Sequence, residues 1–114
     1  MSDGPTRWVD VCALDDICPD TGECALVGDV QIAVLRVGDG DVVYAIDNLD
    51  PFSGAYVMSR GIVGDRNGVP KVASPMYKQT FSLLTGECLD DPTVRVAVYP
   101  ARVRDGRVEL EVAS

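Results

Sequence analysis

Asn48-Leu49-Asp50-Pro51-Phe52-Ser53-Gly54-Ala55-Tyr56-Val57-Met58-Ser59-Arg60-Gly61 interrupts a chain that otherwise reads as short strands separated by turns. The stretch is rich in turn formers yet carries Phe, Tyr, Val and Met, an unusual mixture for a plain connection. A second irregular stretch, Ser74-Pro75-Met76-Tyr77-Lys78-Gln79-Thr80-Phe81, follows a short strand at Val72-Ala73. Long irregular loops in a small β domain tend to carry function, because a rigid scaffold holds them in place. The interest of the chain is concentrated in these two stretches.

Outside them the periodicity is that of strands. Val- and Ile-rich runs recur at Gln31 to Val37, Val42 to Asp47, Val94 to Tyr99 and Arg107 to Val112. The last run alternates, with Val108, Leu110 and Val112 on one face and Arg107, Glu109 and Glu111 on the other, which predicts a half-exposed strand. Ile32-Ala33-Val34-Leu35 is apolar on both faces, so that strand is expected inside the domain. Gly38-Asp39-Gly40 and Asp105-Gly106 read as hairpin turns, and Asp65-Arg66-Asn67-Gly68 as another hairpin tip. Lys78 to Leu84 reads as a short β segment closed by a turn at Thr85-Gly86. Gly54 suits a tight bend in the first loop. Seven prolines punctuate the chain and exclude long helices. The expectation is an all-β chain with residues 1–114 forming one domain.

Composition narrows the chemistry. The chain has 114 residues and no histidine. That excludes His-based acid–base catalysis, Ser-His and Cys-His nucleophile pairs, and metal sites that need imidazole. Ten Lys and Arg against eighteen Asp and Glu give a net charge of −8, so phosphate backbones and anionic lipid are poor partners. The adjacent carboxylates Asp15-Asp16 and Asp90-Asp91 have no visible acid–base partner and read as solvated or capping groups. Cys12, Cys18, Cys24 and Cys88 lack metal-ligand spacing and are expected to be buried, reduced, structural thiols. No stretch approaches a membrane span, and Met1-Ser2-Asp3-Gly4-Pro5 has no signal-sequence character, so the expected location is cytoplasmic. No G-x-G-x-x-G motif marks a dinucleotide site.

The two loops resemble the cluster-binding loops of Rieske-type domains, whose signature is C-x-H followed downstream by C-x2-H, as in "CPHRGA" and "CPLHGWRF". Pro51, Gly54, Ala55, Pro75 and Phe81 fall where that frame puts them, and Val43-Tyr44-Ala45-Ile46-Asp47-Asn48 resembles the strand leading into the first loop. All four ligand positions are replaced: Asp50 and Ser74 stand for the cysteines, Phe52 and Tyr77 for the histidines. A [2Fe–2S] centre of this type needs thiolates and imidazoles, so these residues cannot hold one. The resemblance implies a Rieske-like fold of small stacked antiparallel sheets without its cluster, the two loops converging at one end. Phe52, Met76 and Tyr77 then either pack the loops together or form an exposed apolar patch.

A Rieske-like frame without ligands resembles, more specifically, the small subunit of assimilatory NAD(P)H-dependent nitrite reductases. The similarity runs through Trp8 to Cys12, Asp47 to Phe52, Met58 to Gly61, Val72 to Phe81, Thr85 to Asp91 and Tyr99 to Val103. It implies a cofactor-free subunit supporting a large subunit that carries FAD, sirohaem and a [4Fe–4S] cluster and reduces nitrite to ammonium. No catalytic, cofactor-binding or metal residue transfers to this chain. Because the loops combine apolar and basic residues on an acidic protein, Phe52, Met58, Arg60, Met76, Tyr77 and Lys78 are the expected contacts with that partner. The alternative is a Rieske-ferredoxin-like electron-transfer or binding module, against which the absent histidines weigh.

Overall fold

Residues 32–35 are apolar on both faces of their strand because each face serves a different core. The computed structural model describes residues 5–113. In chain order its strands are β1 (Thr6–Ala13), β2 (Gly22–Val27), β3 (Val30–Val37), β4 (Val42–Asp47), β5 (Ile62–Arg66), β6 (Val69–Ala73), β7 (Thr80–Ser82), β8 (Val98–Tyr99), β9 (Ala101–Arg104) and β10 (Arg107–Ala113). They form three sheets ordered β1-β10-β9, β2-β3-β4-β8 and β5-β6-β7, with every named pair antiparallel. Successive side chains of a strand point to opposite faces. Ile32 and Val34 therefore join Val43, Ala45, Val108 and Leu110 in one core, while Ala33 and Leu35 join Ile46, Val72, Phe81 and Leu83 in the other. The central sheet is covered on both sides, which is why its middle strand shows no polar alternation.

The turns follow the residues that need them. β3 and β4 pair from Val37↔Val42 to Ile32↔Asp47, closing the expected hairpin at residues 38–41. Arg36 straps this turn from beneath: its guanidinium donates to the carbonyls of Ile17, Asp39 and Gly40 at 2.8–2.9 Å. Asn67 and Gly68 both take positive φ between β5 and β6, as a two-residue hairpin of right-handed twist requires. In β10, Val108 and Leu110 are buried while Arg107 is exposed, so the alternation reads as predicted.

Two expectations need correction. Val94 to Tyr99 is not a continuous strand: only Val98–Tyr99 pairs with β4. The earlier part instead makes single bonds to the turn beside it, Cys88 N–H to the Val94 carbonyl and Val96 N–H to the Gly86 carbonyl, 2.9 and 2.8 Å. That turn passes so close that a Cβ on Gly86 would lie 2.1 Å from the Val96 oxygen. The cysteines also differ. Only Cys88 is buried; Cys12 is half-buried, and Cys18 and Cys24 are exposed. β2 is an edge strand whose outer face is covered only in part, so an apolar run there does not imply burial.

Candidate functional site

Residues 48–61 leave β4 in the central sheet, and residues 74–79 join β6 to β7 in the third sheet; the two loops meet between those sheets. Residues 50–55 and 74–79 share a hydrogen-bonding pattern. In the first, Asp50 N–H donates to the Ala55 carbonyl and Gly54 N–H to the Asp50 carbonyl, both at 2.8 Å. In the second, Ser74 N–H donates to the Gln79 carbonyl at 2.9 Å and Lys78 N–H to the Ser74 carbonyl at 3.0 Å. The leading side chain folds back in each: Phe52 N–H donates to Asp50 Oδ1 at 2.8 Å, and Met76 N–H to Ser74 Oγ at 3.2 Å. The fifth residue of each loop has left-handed backbone, Gly54 at φ +75° and Lys78 at φ +63°. Glycine adopts that conformation freely, whereas a lysine there is strained.

The two leading residues touch. Ser74 Oγ donates to Asp50 Oδ2 at 2.5 Å, and both side chains are buried. The carboxylate thus receives a hydroxyl on one oxygen and a backbone N–H on the other, satisfying a group that burial would otherwise penalise. The other two replaced positions are not joined to this bond. Phe52 turns half inward, its ring centroid 6.1 Å from that of Phe81 at the edge of the core. Tyr77 turns outward and is 60% exposed, beside Met76 at 49%.

Of the six residues expected at an interface, Arg60, Met76, Tyr77 and Lys78 are exposed. Met58 must be withdrawn from that set. It opens a single 3-10 turn, Met58–Arg60, that points its side chain into the core at 0% exposure. Gly61, which follows the turn, has no room for a Cβ beside Val72 and the Ala73 carbonyl, so the turn is pressed onto β6. Phe52 is a support beneath the loops more than a surface.

Sequence reasoning gave no role to Asn48, which is buried and organises the first loop. Its Nδ2 donates to Gln31 Oε1 at 3.1 Å and to the Tyr56 carbonyl at 3.2 Å, and its Oδ1 accepts the Ser59 N–H at 2.7 Å. An asparagine at the end of an apolar strand, two residues before Asp50-Pro51, was the available signal. Asp90, read as a solvated or capping carboxylate, takes the capping role: it accepts the Thr80 N–H at 2.8 Å and lies 3.7 Å from Arg66. It closes a shallow depression lined by Tyr77, Lys78 and Gln79.

Known proteins share this architecture. The family model for the Rieske-like [2Fe-2S] domain matches residues 7–111. The nitrite reductase (NADH) small subunit of Escherichia coli is 48% identical over 105 residues, covering 92% of this chain and 97% of that protein. The chain belongs to the nitrite reductase small subunits, a Rieske-like family.

Solved structures of the small-subunit family agree in fold. The NMR structure of the Escherichia coli protein NirD superposes with a TM-score of 0.88 at 46% identity, covering 96% of this chain and all of that one. A nitrite reductase [NAD(P)H] large subunit from Klebsiella oxytoca contains a stretch 45% identical to 91% of this chain, amounting to 11% of its own length.

The Rieske-like family name implies a [2Fe–2S] cluster, and the residues here do not fit one. The loop backbone is that of a two-loop clamp, but its four side chains are a carboxylate, a hydroxyl, a phenyl ring and a phenol, and the first two are bonded to each other. Among the described residues, no group of three or more His, Cys, Asp or Glu side chains is set to hold a metal ion. The cysteines do not compensate. Burial raises the Cys12 thiol above its ordinary value, with nearby Asp16 adding to the effect; burial and Glu23 raise Cys24. None of the four cysteines belongs to a group of three or more candidate metal ligands among the described residues. No helix among the described residues is long and apolar enough to cross a membrane.

Proposed function

We propose that this chain is the cofactor-free small subunit of a cytoplasmic NAD(P)H-dependent nitrite reductase, working as one domain in nitrate and nitrite assimilation. The observation that carries the reading is the Ser74–Asp50 hydrogen bond between two loops that share a hydrogen-bonding pattern. It keeps the clamp closed with hydrogen bonds alone and leaves the loop tips as a surface. FAD, sirohaem and the [4Fe–4S] cluster belong, on this reading, to the large subunit, where nitrite is reduced to ammonium. This chain binds that subunit and takes no part in the bond-making steps. The large-subunit chain from Klebsiella oxytoca that carries a similar stretch supports the choice of partner.

Docking falls to the exposed loop residues. Met76 and Tyr77 supply apolar and aromatic area, which carries most binding energy when it is desolvated at the centre of an interface. Lys78 and Arg60 supply positive charge on a protein of net charge −8, which orients encounter with an acidic face. Phe52 holds the first loop from below through Phe81. The donor set opposes the electron-transfer alternative.

The test is co-purification with the intact large subunit. Tyr77→Ala should weaken the complex by about 1–2 kcal/mol, roughly five- to thirty-fold in affinity. Lys78→Glu should weaken it and make the loss larger at low ionic strength. Iron analysis of the isolated chain should return none. Unchanged binding in both variants would refute the loop-end interface, and stoichiometric iron would refute the cofactor-free reading.

A further inference from the structure

Val30 stands where two parts of the molecule meet. On one side it lines a depression of about 210 Å³ with Asp29, Asp47, Leu49 and Tyr56. On the other it borders Arg7 and Ala113, which belong to β1 and β10. Leu49 and Tyr56 come from the first loop, where a β-bridge holds them side by side. Val30, Leu49 and Tyr56 are 43%, 37% and 55% exposed, so this apolar wall faces solvent in the free chain. The rim of the depression is acidic. Asp29 is exposed and stands in no ion pair among the described residues, while Asp47 accepts the Tyr99 hydroxyl on Oδ1. β1 and β10 pair from Thr6↔Ala113, so the two ends of the sheet lie at one edge, beside Val30. In the Klebsiella oxytoca large subunit the similar stretch is 11% of one continuous chain and matches 91% of this one. The connection to the rest of that chain leaves from the corresponding edge, whichever end is joined.

We propose that the large subunit docks across this flank, from the first loop to the edge shared by β1 and β10, and seats a basic side chain in the depression beside Tyr56. The inference rests on the docking reading above and deepens it by naming a second contact surface and the group it receives. The loop tips alone are too small. A stable specific interface takes about 800 Å² and about 20–30 residues from each partner, and the tips offer Arg60, Met76, Tyr77 and Lys78. The flank continues from the first loop, and in the fused relative it lies beside the point of attachment. Its chemistry selects the occupant. The methylenes of a lysine or arginine lie along Val30 and Leu49, the Tyr56 ring attracts the cation, and Asp29 neutralises it. An acidic residue would meet like charge. An aliphatic one would desolvate the carboxylates without giving them a partner.

The experiment titrates three variants against the intact large subunit. Tyr56→Ala and Asp29→Lys should each raise Kd about tenfold, equivalent to about 1.4 kcal/mol, and the Asp29→Lys loss should shrink at high salt. Val42→Ala truncates a side chain that is 47% exposed at the far end of the β3–β4 hairpin, and should bind like wild type. The isolated variants should keep the wild-type Tm. Wild-type affinity in both Tyr56→Ala and Asp29→Lys would overturn the proposal; a loss in Lys78→Glu beside it would leave the loop-tip docking standing. A loss of the same size in Val42→Ala, or one that only follows a lower Tm, would also overturn it. So would self-association of the isolated chain that Tyr56→Ala abolishes, which would assign the flank to a second copy. Failure of the wild-type chain to bind overturns the partner reading itself and is recognisable before any variant is made.

Discussion

Asp50 and Ser74 stand where a cluster would need thiolates, and each satisfies the other. Their bond makes a specific demand on stability. Asp50→Ala strips the acceptor from both the Ser74 hydroxyl and the Phe52 N–H, and should lower the unfolding free energy by about 2–4 kcal/mol in chemical denaturation. Ser74→Ala leaves the carboxylate with its backbone donor and should cost less. Lys78 tests the opposite balance. It holds left-handed backbone where the Rieske frame has glycine, so Lys78→Gly should raise stability by about 0.5–1 kcal/mol in the same titration while weakening the complex with the large subunit. At this scale the sequence was informative where backbone geometry is coded by residue type: Pro51, Gly54, Pro75 and Phe81 mark both loops. It was silent on direction. Met58 and Met76 are the same side chain in similar company, yet a single 3-10 turn buries one and a loop tip exposes the other.

Strands repeat the contrast between what is coded locally and what is not. β3 was legible because a short β-branched run apolar on both faces, closed by the Gly38-Asp39-Gly40 turn, reads as a covered strand, and two cores flank it. The run from Val94 was misleading because its β-branched residues make single bonds to the Gly86 turn instead of a ladder, and nothing local to that run specifies the turn's position. β8, the short piece that does pair, is tied to β4 by a side chain. Tyr99 donates its hydroxyl to Asp47 Oδ1 at 2.7 Å. Burial, then this bond and the Asp47 charge, push the phenol up to about 12 from the ordinary 10. Below pH 10 the phenol is protonated in folded and unfolded chains alike, and the contribution is complete. Between pH 10 and 12 the unfolded chain releases the proton while the folded chain keeps it, so stability falls as pH rises. Tyr99→Phe should flatten that alkaline limb in a series of unfolding curves across pH 8–12, with a modest loss of stability at neutral pH.

The whole molecule separates its scaffold from its working end. The acidic turn with Asp39 and Asp41 lies at the far end of the β3–β4 hairpin from Asn48 and the first loop, which keeps that negative charge away from Lys78 and the loop tips. The fold preserves a clamp whose ligands are gone, and the small-subunit family to which the chain belongs gives the clamp a partner. The most direct measurement is nitrite-dependent NADH oxidation by the purified large subunit, with and without this chain, beside iron analysis of this chain alone. A rise in activity that saturates at a fixed ratio, with no iron in the added chain, is the predicted result. No change in rate and no complex, or a rate that follows iron bound to this chain, would contradict it.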